Sequence, residues 1–141
     1  MPFAPTTRTA TANSALGTFV TDFDAGTGFA LVCIFSGTVP TNANTALAGN
    51  TLLANVALQK PSATVTAATL TLSGLPKSDA SADASGVATF FRIFSSNDSL
   101  TPLNCIYQGL VGTSASDMNL ASTTLVAGAA FNITAATISL A

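Results

Sequence analysis

Residues 86–94, GVATFFRIF, place large apolar side chains at both parities of a strand. Successive side chains of a strand point to opposite faces of its sheet. The first predicted face has Val87, Thr89, Phe91 and Ile93, and the second has Ala88, Phe90, Arg92 and Phe94. Because burying one Phe side chain contributes roughly 1.5–3 kcal/mol, both faces require a cover. Each of the two faces of this strand therefore needs an apolar cover.

Short apolar segments alternate with turn segments rich in Gly, Pro, Asn and Ser from residue 29 onward. Residues 29–35, FALVCIF, are apolar throughout, which predicts a strand buried on both faces. Residues 51–59 alternate between apolar and polar side chains. The predicted inward residues of this segment are Leu52, Ala54, Val56 and Leu58. About eight strand candidates of this kind predict an all-β fold, specifically a jelly-roll-like antiparallel β-sandwich.

The last segment, residues 131–141, changes its apolar parity along its length. Phe131 and Ile133 share one parity, whereas Ile138 and Leu140 share the other. A strand keeps its parity unless an extra residue is inserted, so we predict a β-bulge at residues 135–136.

One short helix is predicted near the N-terminus, at residues 13–24. Its apolar positions are Leu16, Phe19, Val20 and Phe23, which follow the spacing of one helical stripe. Asn13 or Ser14 is the predicted N-cap. This helix, or another subunit, is expected to cover the second aromatic face of residues 86–94. The domain prediction is a single sandwich over residues 9–141.

Residues 1–8, MPFAPTTR, are predicted to form an extended arm. Pro2 and Pro5 disfavour helix, and the residue before each proline prefers extended geometry. Phe3 is the only large apolar anchor of this segment besides Met1. We expect the arm to contact another chain and to bury Phe3 there. The predicted interface consists of Pro2, Phe3, Pro5, Phe90, Arg92 and Phe94.

The chain is unusually poor in charge, with 7% charged residues and a formal net charge of −2. Its basic residues are Arg8, Lys60, Lys77 and Arg92, which are scattered. Nucleic-acid binding requires clustered Lys and Arg, so no nucleic-acid partner is expected. No apolar run approaches the roughly 18 residues of a membrane-spanning helix, so no membrane partner is expected. The first residues lack an apolar core segment, which predicts no secretory signal.

The side chains of common catalytic sites are missing, since the sequence contains neither His nor Glu. We therefore predict no enzymatic activity, no catalytic residues, no metal and no cofactor. The six Asp residues are interpreted as turn residues that bond their own backbone. A Ca²⁺ site at Asp22 and Asp24, or at Asp79 and Asp83, and a paired-Asp glycosidase site remain as alternatives. Free buried thiols are favoured for the two cysteines, Cys33 and Cys105, with a disulfide left open.

Two segments together resemble a known class of proteins. The first is SADASGVATFFRIF, and the second is GLVGTSASDMNLASTTLVAGAAFNITAATISLA. Both are similar to small structural proteins of tailed phages, and size and composition resemble the cement (decoration) proteins of phage heads. This resemblance implies a jelly-roll fold and a place on the outer surface of an HK97-like shell, with the major capsid protein as partner. It also implies an oligomer, which we expect to be a homodimer, or a trimer as the second choice. The protein would be made in the host cytoplasm, and a tail, baseplate or fibre module is the alternative.

Overall fold

The computed structural model describes residues 9–25, 28–43, 45–75, 77–79, 81–95 and 105–139. Within them lies one helix, α1, at Thr9–Phe23. The ten strands are β1 (Leu31–Ser36), β2 (Leu52–Ala57), β3 (Ala63–Thr66), β4 (Thr69–Leu72), β5 (Lys77–Asp79), β6 (Gly86–Phe94), β7 (Cys105–Gly112), β8 (Met118–Leu120), β9 (Thr124–Leu125) and β10 (Phe131–Ser139). The predicted β-rich fold with one short N-terminal helix is confirmed. The predicted arm, residues 1–8, lies outside the described residues.

The strands form one path in the order β2-β1-β6-β7-β8-β10-β4-β3. In addition, β5 pairs with β10, and β9 pairs with β6. Neighbouring strands are antiparallel except β7 and β8, which run parallel where Val111 lies opposite Met118. The prediction of a purely antiparallel fold is therefore wrong at this pair. Residues 113–117 connect the two strands and do not form a hairpin, since the strands run in the same direction.

The sheet curls around one main core. Leu53 of β2 and Ala63 of β3 stand at opposite ends of the strand path, yet both belong to the same buried cluster. Leu16 and Phe23 of α1 are fully buried in that cluster, and α1 packs mainly against β3 and β4. The predicted helical stripe is thus confirmed. Its burial holds α1 on the side of the sheet where the main core lies.

The start of α1 differs from the sequence prediction. The helix begins at Thr9 rather than at residue 13, because the Ala- and Thr-containing residues before Asn13 continue the helical turn. Asn13 is therefore not a cap. Its Oδ1 accepts a hydrogen bond of 2.8 Å from the backbone N–H of Ala68, in the turn between β3 and β4. The side chain thus ties the helix to the sheet.

A β-bulge at Thr89 corrects the predicted faces of β6. The register with β1 shifts there, so Phe90 lies opposite Phe35 while Ala88 lies opposite Ser36. Ala88 is consequently buried in the main core, and Val87 is 55% exposed. The predicted alternation is correct from Phe90 to Phe94 and wrong before Thr89. An inserted residue reverses parity, which the alternation rule does not anticipate.

Two further bulges affect the strand predictions. The register between β1 and β2 shifts beside Leu53, which enters the main core together with Ala54. Leu52, predicted to point inward, instead packs against a second cluster on the other face. In β10 the register shifts between Ile133 and Ala135, so the predicted bulge is present but lies at Thr134, just before the predicted residues 135–136.

Candidate functional site

The second face of β6 belongs to a separate aromatic cluster. Its buried members are Cys33, Phe35, Phe90 and Phe94. Phe35 and Phe90 stack with ring centroids 5.2 Å apart. Leu47 and Cys105 pack against the cluster from its edge. Both faces of β6 are therefore buried by residues of the same chain.

The cover of this cluster is the connection between β1 and β2, residues 37–50, which we call the cover loop. Residue 44 of this loop lies outside the described residues. The expectation that the helix covers this face is wrong, because α1 packs against β3, β4 and β7 on the main-core side. A long connection that crosses its own sheet face is the physical alternative to a helix or a second subunit. Polar loop backbone can lie there only if its carbonyls find donors.

Arg92 supplies those donors from the middle of the cluster. Its side chain is 0% exposed. Nη2 donates a hydrogen bond of 2.7 Å to the carbonyl of Thr45 and a longer one of 3.4 Å to the carbonyl of Asn42. The guanidinium carbon lies 6.0 Å from the centroid of the Phe90 ring. Arg92 therefore anchors the cover loop by hydrogen bonds to its backbone, and the planar guanidinium lies close to the Phe90 ring.

Gln108 forms a second polar link to the same loop. It lies directly opposite Arg92 on β7 and accepts a hydrogen bond of 2.8 Å from Arg92 Nε at its Oε1. Its Nε2 donates to the carbonyl of Pro40 at 2.9 Å. One amide thus pairs with the buried Arg92 Nε and with a loop carbonyl at the same time. This arrangement fixes which way the Gln108 amide points.

The Asn50 side chain links the two ends of the cover loop by hydrogen bonds. Its Nδ2 donates to the carbonyls of Ser36 and Thr38, each at 2.9 Å, and its Oδ1 accepts from the Ala48 N–H at 3.1 Å. Gly37 has a φ of +90°, and a Cβ at that position would lie 2.9 Å from Asn50 Nδ2. Glycine is therefore required where the loop leaves β1.

A shallow depression of about 210 Å³ lies on the outer side of the cover loop. Its lining consists of Thr38, Val39, Pro40, Thr41, Thr45, Ala46, Ala48 and Asn50. None of these side chains is charged. The same residue, Thr45, both lines this depression and accepts from Arg92 underneath.

The two thiols are free, and Cys33 is buried. β1 and β7 pair with β6 on opposite sides, and Cys33 lies opposite Arg92 whereas Cys105 lies opposite Phe94, so the two Cα atoms are more than two strand spacings apart, beyond roughly 9.5 Å. A disulfide requires Cα atoms within about 7 Å, so the fold separates these residues too far. Burial raises the pKa of Cys33 to about 12, with further increases from Cys105 and Asp83. Burial also raises the pKa of Cys105, against the opposing effect of Arg92.

The predicted interface residues fall into two groups. Phe90, Arg92 and Phe94 come together beneath the cover loop and are buried by their own chain, so their contact with another chain stays a prediction. The other three residues, Pro2, Phe3 and Pro5, lie outside the described residues. Sequence reasoning missed Gln108 and Asn50 as partners of this centre. A signal for Gln108 exists, because it is a polar residue within the apolar segment LNCIYQGLVG that pairs with β6.

Two of the described aspartates, Asp24 and Asp117, accept hydrogen bonds from backbone N–H groups outside their own turns. Both carboxylate oxygens of Asp24 accept from the Ser62 N–H, at 3.2 and 3.1 Å. Asp117 Oδ2 accepts from the Leu110 N–H at 2.9 Å. The interpretation of these two residues as local turn formers is therefore wrong. Within the ranges that the structure describes, no three Cys or Asp side chains are grouped to hold a metal ion.

Comparison with known proteins finds no matching protein-family model, no matching curated protein and no matching solved structure. Of the described residues, no helical segment has both the length and the apolar character needed to cross a membrane. The geometry on its own is that of a polar anchor, Arg92 with Gln108, embedded in an aromatic cluster and covered by an uncharged loop. Such an arrangement holds a surface loop in a fixed position on the sheet.

Proposed function

We propose that this chain is a tailed-phage capsid cement (decoration) protein. It would bind the outside of an assembled HK97-like head shell and bridge neighbouring major capsid subunits. The sequence resemblance in residues 81–94 and 109–141 motivates this proposal. A protein that binds the assembled shell and not the loose subunit stabilises the assembly by mass action.

The observation that supports it best is the character of the described surface. Phe29, Val87, Leu110 and Val126 are all more than half exposed, in a chain with only 7% charged residues. Depletion of charged residues is typical of the centre of protein–protein interfaces, and an exposed apolar side chain contributes free energy when a partner covers it. A free protein with this surface has little electrostatic protection against association.

The proposal includes finer structural points. A jelly-roll-like arrangement in two layers is supported by the common core that both ends of the strand path share, although the parallel β7–β8 pair departs from it. The expected oligomer is a homodimer, with a trimer as second choice. The arm with Pro2, Phe3 and Pro5 is proposed to lie along a neighbouring chain, since proline lowers the entropy lost on docking.

A tail, baseplate or fibre module is the alternative that the same resemblance leaves open. Glycan binding is the form of this alternative that the geometry disfavours. Tyr107 is the only Tyr, and the chain has no Trp. Its ring contacts Phe19 edge-on and tilts against Phe91, so it is not a free platform for a sugar. Burial, with Asp117 nearby, also raises the pKa of its hydroxyl.

Labelling this chain in intact virions of the phage that encodes it tests the proposal. Gold-labelled antibodies against the chain should decorate the head surface at many positions and leave the tail unlabelled. Virions treated with antibodies against an internal protein provide the control for particle integrity. Label confined to the tail would support the alternative, and absence of the chain from virions would refute both.

A further inference from the structure

We propose that Arg92 is a receptor for a carboxylate supplied from outside the chain. The proposal concerns the isolated protein and does not depend on the function proposed above. The three nitrogens of the Arg92 guanidinium differ in their hydrogen bonds. Nε donates to Gln108, and Nη2 donates to two loop carbonyls, but Nη1 has no hydrogen-bond partner among the residues that the structure describes.

The lengths of the two hydrogen bonds from Nη2 also favour a carboxylate ligand. Of the two bonds from Nη2, only that to Thr45 is short, while the bond to Asn42 measures 3.4 Å and is weak. The edge formed by Nη1 and Nη2 therefore has one good acceptor where a planar carboxylate would provide two. Arginine prefers such bidentate pairs, and charge-assisted hydrogen bonds are roughly twice as strong as bonds to neutral carbonyls.

Charge balance supplies a second, independent argument. Arginine stays protonated in proteins, and a buried charge without a counter-charge is unfavourable. Of the four aspartates whose side chains are described, Asp22, Asp24, Asp83 and Asp117, none is hydrogen-bonded to Arg92. Asp24, Asp83 and Asp117 accept from Ser62, Asn55 and Leu110, respectively. Asp22 is exposed on α1, which packs on the opposite side of the sheet.

A carboxylate from outside would reach Arg92 at the cover loop. Thr45, whose carbonyl accepts the short bond from Arg92, also lines the surface depression. The described residues of this loop are uncharged, and the bond to Asn42, at 3.4 Å, is the weaker of the two Nη2 bonds that a carboxylate would replace. Two sources have this chemistry: a small carboxylate ion, or an acidic side chain of another protein molecule.

The test uses the full-length chain and sodium acetate, with sodium chloride at equal ionic strength as reference. Acetate should raise the melting temperature saturably beyond chloride, as expected for a ligand that binds only the folded state. In a ¹⁵N spectrum, the Arg92 Nε–H signal should shift with the same saturation. Arg92→Gln should abolish both effects, while the matched charge removal Arg8→Gln should leave them intact.

A blocked tripeptide, acetyl-Gly-Asp-Gly-amide, distinguishes the two sources. A saturable Arg92 Nε–H shift with the peptide supports an acidic side chain, and a shift with acetate alone supports a small ion. If Arg92→Gln does not fold, the wild-type Nε–H titration still decides the question. An unchanged Nε–H signal with acetate and peptide refutes the proposal. Asp98 is an aspartate of this chain that lies outside the described residues. An acetate response that appears only in Asp98→Asn also refutes the proposal, because the carboxylate would then come from the chain itself.

Discussion

Arg92 Nε and Gln108 Oε1 are joined by a hydrogen bond of 2.8 Å across the pairing of β6 and β7. The pair lies on the aromatic face, and each member also holds a carbonyl of the cover loop. The loop thus depends on side chains that are fixed by the sheet register. A change in either residue should affect the loop before it affects the main core.

Gln108→Ala should destabilise the fold by about 1–3 kcal/mol, because it leaves the buried Arg92 Nε and the Pro40 carbonyl without partners. The measurement is the free energy of unfolding from urea titration. Gln59→Ala is the matched control, since Gln59 is exposed and should change stability by no more than about 0.5 kcal/mol. Equal effects of the two substitutions would contradict the role assigned to Gln108.

Cys33 should make stability depend on alkaline pH. Its folded-state pKa is raised to about 12 from 9.0, so the unfolded chain ionises first as pH rises. The contribution of Cys33 is therefore fully present below pH 9 and is lost at about 1.4 kcal/mol per pH unit above it, up to about pH 12. The free energy of unfolding at pH 8 and pH 10 should fall less in Cys33→Ala than in wild type. Identical pH profiles of the two proteins would contradict this burial.

The backbone of the two-residue turn between β3 and β4 is strained, and a substitution can relieve this strain. Ala67 and Ala68 have φ values of 53° and 61°, a region that costs roughly 1–2 kcal/mol per residue for side chains other than Gly and Asn. Replacing both with Asn-Gly should raise the free energy of unfolding by about 1 kcal/mol, as this dipeptide favours such turns. Ala57→Gly in β2 is the control and should lower it by about 0.5–1 kcal/mol. Destabilisation by the Asn-Gly replacement would argue against the turn geometry.

Gly109 is expected to tolerate no side chain. A Cβ there would lie 2.7 Å and 2.8 Å from Cε1 and Cζ of the buried Phe91 ring. Gly109→Ala should therefore lower the free energy of unfolding by about 1–3 kcal/mol. Gly17→Ala is the matched control, because a Cβ at Gly17 meets nothing within 4 Å. That control should raise stability by about 1 kcal/mol, as expected in a helix, and opposite signs in a chemical denaturation series would confirm both environments.

Periodicity predicted the parts of the fold in which neighbouring side chains alternate without interruption. The stripe of α1, the two-sided burial of β1 and the parity change in β10 all follow from local spacing. The bulges at Thr89 and Leu53 were not predictable in this way, because a single inserted residue leaves no mark in an otherwise apolar segment. The parallel pairing of β7 and β8 depends on long-range packing and has no local signal either.

The candidate site was predictable in part. The two-sided aromatic pattern indicates that Phe90, Arg92 and Phe94 need a cover, and the structure brings them together. It does not indicate that residues 37–50 provide this cover, since a loop of Thr, Asn and Ala resembles any solvated connection. The roles of Gln108 and Asn50 emerge only when the register places them opposite their partners.

Hydrogen exchange of the cover loop is the most direct test of the central claim that Arg92 holds this loop over the aromatic face. The Thr45 and Ala48 amides are hydrogen-bonded within the loop and report its order. Arg92→Lys keeps the charge but loses the planar donor fork, so both amides should exchange at least about tenfold faster, while Asp24 at the end of α1 keeps its rate. Unchanged exchange of Thr45 and Ala48 in Arg92→Lys would contradict the account.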